Sequence, residues 1–237
     1  AADKTVTVNN TLTNSGSINN LGTINAAGGN YNLGSITGTG TLNVTAGTKT
    51  VNAAVAQNTL AVSSGATLNV NNTLTSVLNN SGTTAGSASN FAGAIHNANI
   101  LNLGAGTLSY AIDNYNSTTG TTNISGNVTA NANISGNNVT LSSGTLTLNN
   151  GTFDSIGTLT ASGGALSTQN SSTSDTALGN VNLASTMNLA IDVDLSTKSA
   201  DTLSAGTVTA DETSININSI SWTLGSDIGD GRKIALM

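Results

Sequence analysis

Val8-Asn9-Asn10-Thr11-Leu12-Thr13 recurs letter for letter at residues 70–75, and near-copies of this strand, flanked by Gly, Asn, Ser or Thr, fill most of the 237-residue chain. Repetition at this density marks a solenoid, one supersecondary unit stacked on itself until the stack has a continuous core. The two copies are offset by 62 residues, which suits three turns of roughly 20 residues. A shorter step is nested inside. Gly16-Ser17-Ile18-Asn19 is followed six residues later by Gly22-Thr23-Ile24-Asn25, with Leu12 six before Ile18. One inward aliphatic per six residues fits a short strand plus a corner, so about three such sides close a turn.

Longer copies carry the same rhythm. Val62-Ser63-Ser64-Gly65-Ala66-Thr67-Leu68-Asn69-Val70-Asn71-Asn72 returns, one residue shorter, as Leu141-Ser142-Ser143-Gly144-Thr145-Leu146-Thr147-Leu148-Asn149-Asn150. Within each copy the alternation has period two: Leu42 and Val44 share one face and Asn43 takes the other, as do Leu68 and Val70, and Leu101 and Leu103. Asn-Asn, Ser-Gly and Gly-Gly pairs bound the runs and supply corners with positive φ. Stacked Asn side chains can form amide ladders between turns. No helical period is sustained. The expected fold is all-β, a single-stranded parallel β-helix of about ten to twelve turns.

Composition narrows the function. Charged residues make up 7% of the chain, with 27 Gly, no Pro and no Cys. So little charge and Pro argues against ordinary disorder, and the absence of Cys leaves stability to ladders and packing. The net charge of −6 and the five scattered cations (Lys4, Lys49, Lys198, Arg232, Lys233) argue against nucleic acid or anionic membranes as partners. No apolar run approaches the ~20 residues of a membrane-spanning helix, so no membrane insertion is expected of this segment. The start, AADKTVTV, is not a leader peptide. Seven of the eleven acidic residues (Asp192, Asp194, Asp201, Asp211, Glu212, Asp227, Asp230) and the lone Trp222 fall near the C-terminus. The expected division is a repetitive rod, 1–189, and a terminal capping section of the same solenoid, 190–237, because solenoids need atypical end units.

These patterns resemble the passenger domains of bacterial autotransporters, the type V secreted surface proteins. Asn14-Ser15-Gly16-Ser17-Ile18-Asn19 and the following Gly22-Thr23-Ile24-Asn25 are similar to the family's Gly-x-Ile-Asn repeats, and GTLNV (40–44) and GATLNVNN (65–72) look like its rungs. SADTLSAGTVTADETSININSI (199–220) followed by GDGRKIALM (229–237) is similar to the family's C-terminal passenger region, which is associated with folding of the rod after export. The resemblance implies a right-handed coil, an autochaperone-like terminal section, an extracellular or cell-surface location, and freedom from cysteine. The strands of a translocator barrel do not follow within this chain, so the family's pattern implies an excised passenger or another export route.

Chemistry is sparse. His96, the only histidine, lies in FAGAIHNANI, not a nucleophile motif, and reads as a solvent-facing or loop residue. Asp192 and Asp194, with Asp201, carry the oxygens a calcium ion wants. Alternation turns Asp192 and Asp194 outward and Ile191, Val193 and Leu195 inward, and the preferred reading is an acidic stripe keeping an edge soluble, with no metal and no cofactor. Asp113 and Asp154, about two turns apart, form the one conceivable carboxylate pair of a polysaccharide-active enzyme. Residues 81–94 and 171–180 break the repeat, and Phe91, Tyr110 and Tyr115, in or near the first stretch, make residues 84–120 the candidate contact surface, or else fill an irregular rung. The expected function is a non-enzymatic, exported bacterial surface rod, adhesive or structural, in multivalent contact with glycans or surface proteins. The alternatives are a self-associating filament or surface-layer subunit, and a polysaccharide-active β-helix enzyme.

Overall fold

Each strand pairs with the strand one turn further along the chain. A computed structural model describes residues 3–13, 16–114, 119–210 and 213–223. All but one of its strand pairings are parallel, and the coil makes about nine turns. Ten to twelve were expected. The shortfall arises where turns lengthen around loops, as between Ile112 and Ile134 and between Val181 and Val208.

Three sheets form the sides. Face A stacks Thr5–Val8, Thr23–Ala26, Thr41–Val44, Val55–Val62, Leu74–Asn80, Ile95–Asn97, Ile112–Asp113, Ile134–Ser135 and Phe153–Asp154. Face B is a continuous sheet of 10 strands, from Tyr31–Leu33 to Val208–Ala210. Face C begins as the short strands Ile18–Asn19 and Ile36–Thr37, continues through Val55, Leu74 and Phe91, and after a 3-10 turn at Ala88–Asn90 runs from Gly106–Leu108 to Ile215–Thr223.

Alternation decides what lies inside. Ile24, Leu42, Leu60, Leu78, Ile95, Ile112, Ile134 and Phe153 form one inward column of face A, all buried. Burying each such side chain stabilises the fold by about 1.5–3 kcal/mol. A thin aliphatic core of this kind depends on every rung repeating the pattern.

The register corrects one sequence inference. The early turn is eighteen residues long, with Val8 stacked on Ala26, Val44 and Val62. Val70, which matches Val8 in the repeated hexapeptide, lies on face B between Val51 and Gly86. The offset is therefore not three turns; the two copies sit on different sides of the coil. The same holds for the longer pair. The corner at Ser63-Ser64-Gly65 leads from face A to face B, whereas Ser142-Ser143-Gly144 leads from face B to face C. Both glycines have positive φ, 78° and 68°. The copied unit is one side, strand plus corner, and a corner carries no information about which side it ends.

Asn ladders form as expected. Asn43 donates to Asn25 (2.8 Å), Asn123 to Asn102 (2.8 Å) and Asn149 to Asn131 (2.9 Å). A second use of Asn holds successive turns together at the corners. The Oδ1 atoms of Asn30, Asn127, Asn138 and Asn180 accept the backbone N–H of Thr48, Thr145, Thr158 and Thr207, one turn on. A buried amide row lies at the exit of face A: Asn80 donates to Asn97 and Asn97 to Asn137. Gly120 leaves room for the second bond, since a Cβ there would meet the Asn97 amide nitrogen at 2.6 Å.

Near the C-terminus the pattern loosens. The position 190 boundary falls inside the strand Met187–Asp194, which continues face C and pairs with Ile215–Thr223. The departure follows at Asp194, where a tight hairpin brings Ser199–Ala200 back antiparallel. Parallel stacking then resumes with Thr202–Ser204 on Asp175–Ala177. Arg232, Lys233, Asp211, Glu212, Asp227 and Asp230 lie outside the described residues, as does the Trp222 side chain.

Candidate functional site

The outward column of face A brings together titratable side chains from successive turns. Reading down it, Asn79, His96 and Asp113 are successive partners, and Ser135 and Asp154 continue the row. Of the two placements expected for His96, solvent-facing or in a loop, it has the first. It stands on the strand Ile95–Asn97, half-exposed, with Nδ1 bonded to the Asp113 carboxylate. Seventeen residues separate the two, one turn of the coil.

The order of this column decides its chemistry. A nucleophilic triad needs the imidazole between the carboxylate and the hydroxyl. Here Asp113 stands between His96 and Ser135, and the Ser135 hydroxyl donates to the Ile112 carbonyl (3.2 Å). Asp113 and Asp154 do share one face, two rungs apart, about 10 Å along the axis. Asp113 is held by the imidazole and Asp154 accepts a bond from Ser155 (3.1 Å).

The calcium candidates are placed differently from the sequence reading. Asp192 does not face solvent; it is 4% exposed, and Ile191 and Val193 beside it are buried as well. The segment 168–174 folds over this part of the strand, so both its faces are covered. Asp192 accepts the backbone N–H groups of Asn170 (2.6 Å) and Ser171 (2.7 Å). Asp201, also buried, accepts from the Asp192 N–H (2.8 Å), the Thr168 hydroxyl (2.6 Å) and the Ser174 N–H (2.8 Å). These carboxylates fasten a loop by accepting from donors, so their oxygens do not converge on a shared centre. Asp194 makes a local turn instead: bonds from Ser196 first, then Thr197, hold its carboxyl at about 2.

Among the proposed contact aromatics, Phe91 is buried at 2% exposure and fills face C against Leu74, so it offers no contact surface. Tyr110 is exposed at 44%. Tyr115 lies outside the described residues.

Lys49 is no scattered surface cation: parity, two residues before Val51, places it inside. It is fully buried; its Nζ donates to the carbonyls of Gly28 (2.7 Å), Gly29 (2.9 Å) and Ala46 (2.6 Å) and lies 4.4 Å from the centre of the Tyr31 ring. Burial lowers the amine below its ordinary value and raises the Tyr31 phenol.

Face B is the most regular surface. Its strands present Thr48 and Thr50, Thr67 and Asn69, Thr83 and Ala85, Ile100 and Asn102, Thr121 and Asn123, Asn138 and Thr140, and Thr158 and Thr160 outward, in two columns. None of these is charged or aromatic, and all but Ile100 are half-buried by their column neighbours.

Among the described residues no group of His, Asp and Glu could hold a metal ion, and no helix is long and apolar enough to cross a membrane. No protein-family model matches the chain, nor does any curated protein or any solved structure.

Proposed function

We propose that this chain is a non-catalytic rod exported to the outside of a bacterial cell, of the autotransporter-passenger kind, which works by many shallow contacts along its length. The observation that carries the reading is the pair of uncharged columns on face B, built mostly of Thr and Asn and interrupted only by Ala85 and Ile100 among the positions named above. Every one of these rungs offers at least one hydroxyl or amide, so a partner such as a glycan or surface protein would gain affinity from repetition. The parallel β-solenoid is compatible with a passenger, and the Gly-x-Ile-Asn steps add the sequence resemblance. The test is mild protease shaving of intact source cells. Release of the rod into the medium is expected; a protein protected until lysis would sink the reading.

A self-assembling filament is a second reading, favoured by Val208, Ile215 and Ile217 standing exposed on the last described turns. Concentration-dependent fibres in electron micrographs would support it. The shared face of Asp113 and Asp154 keeps a polysaccharide-active enzyme as a third. Turnover on a polysaccharide panel that vanishes in Asp113→Asn and Asp154→Asn would establish that activity.

A further inference from the structure

Face B has a property that adhesion to proteins or sugars does not require: its two outward columns form a regular lattice. Successive rungs are about 4.8 Å apart, and residues two apart along a strand are about 6.7 Å apart. The sheet continues through ten strands, so the lattice extends about 40 Å along the axis. We infer that face B is an ice-binding surface, whose ligand is the ordered water of an ice crystal's prism face.

Three features of the face argue for this occupant. The first is spacing. Both repeats of the lattice lie close to the oxygen spacings of that crystal face, and parallel pairing holds them constant from Thr48 to Thr160 even where turns vary in length, because the extra residues leave as loops between strands. The second is charge. An ice lattice cannot solvate ions and rejects them, and face B presents no charged side chain, whereas face A presents His96, Asp113 and Asp154. The third is rigidity. β-Branched threonine, which fills eight of the fourteen outward positions named above, has few rotamers, and column neighbours half-bury every one of those threonines. Little freedom is then lost on contact. Hydroxyls offer lattice positions to water while the methyls between them offer none, which suits an ordered first layer.

The inference is independent of where the protein is displayed. Its test is the purified chain on a growing single ice crystal, read as crystal shaping, thermal hysteresis and incorporation into ice. Wild type is expected to shape the crystal and to be taken up. Thr121→Lys and Thr140→Lys, both mid-face, should each remove at least half of the hysteresis. Thr129→Lys, outward on face C, should leave it unchanged; circular dichroism and thermal melting confirm that each variant folds. A wild type that neither shapes nor enters ice overturns the inference, as does an equal loss from Thr129→Lys. Retention on insoluble cellulose or chitin, abolished by Thr121→Lys and without any effect on ice, would also overturn it and give the face to neutral glycans.

Discussion

The buried amine of Lys49 is the residue with most at stake for its size. Three carbonyls converge on it, and the Tyr31 ring covers it. Lys49→Met would fill the space but leave those carbonyls without their donor, and is expected to lower stability by about 1–3 kcal/mol. The pH dependence has a fixed sign. Because burial lowers the Lys49 amine from 10.5, the unfolded chain binds more protons between the folded value and 10.5, and wild-type stability should rise with pH through that window. Tyr31 acts oppositely and later: its raised phenol contributes stability that is present below pH 10 and lost above it. Denaturant titrations of wild type and Lys49→Met at stepped pH isolate the lysine, since Tyr31 is common to both. At the other end, Asp201→Asn would present an amide to the N–H groups of Asp192 and Ser174. A loss of about 2–3 kcal/mol is expected, with faster proteolysis within 168–174; an unchanged melting temperature would mean that the loop is held otherwise.

At the scale of a strand, parity is the controlling rule. Leu146 is fully buried and Thr147 beside it half-exposed. Leu146→Asp places an unpaired charge in the stack and should cost about 3–5 kcal/mol. Thr147→Asp should stay within about 0.5 kcal/mol, and thermal melts of the pair compare the two directly. Parity is also what made the fold legible in the sequence: Leu42, Val44, Leu68, Val70, Leu101 and Leu103 were placed inside correctly, and Lys49 could have been by the same count. What could not be read was stacking at longer range. The repeated hexapeptide misled because each corner looks like the next, so sequence identity marks sides and not turns. His96 and Asp113 meet only because that one turn is seventeen residues long. Asp192 is inside because residues some twenty positions earlier fold across it, which no local alternation encodes.

The whole molecule behaves as a one-dimensional stack in which a turn touches only its neighbours. Excising residues 121–137 would put Asn138 where Thr121 stood, preserving the parity of every column. This shortened rod should fold and melt cooperatively. Excising 121–129 instead would shift parity, turn Thr and Asn inward, and abolish the folded signal in circular dichroism. Equal tolerance of both deletions would rule out the register described above.

The parallel ladders also set how the rod would respond to force. Their hydrogen bonds lie along the long axis, so tension between the two ends peels the outermost turn first, a few bonds at a time, while the turns behind it share the load over three sides and remain closed. Each early turn that opens would pay out roughly 60 Å of chain, from eighteen residues at about 3.4 Å apiece. Under a pipette or an optical trap the molecule should lengthen in steps of about that size, shortening and growing where loops change the turn. A tether of this design absorbs a sudden load by giving length, and it can rewind on the turns left intact.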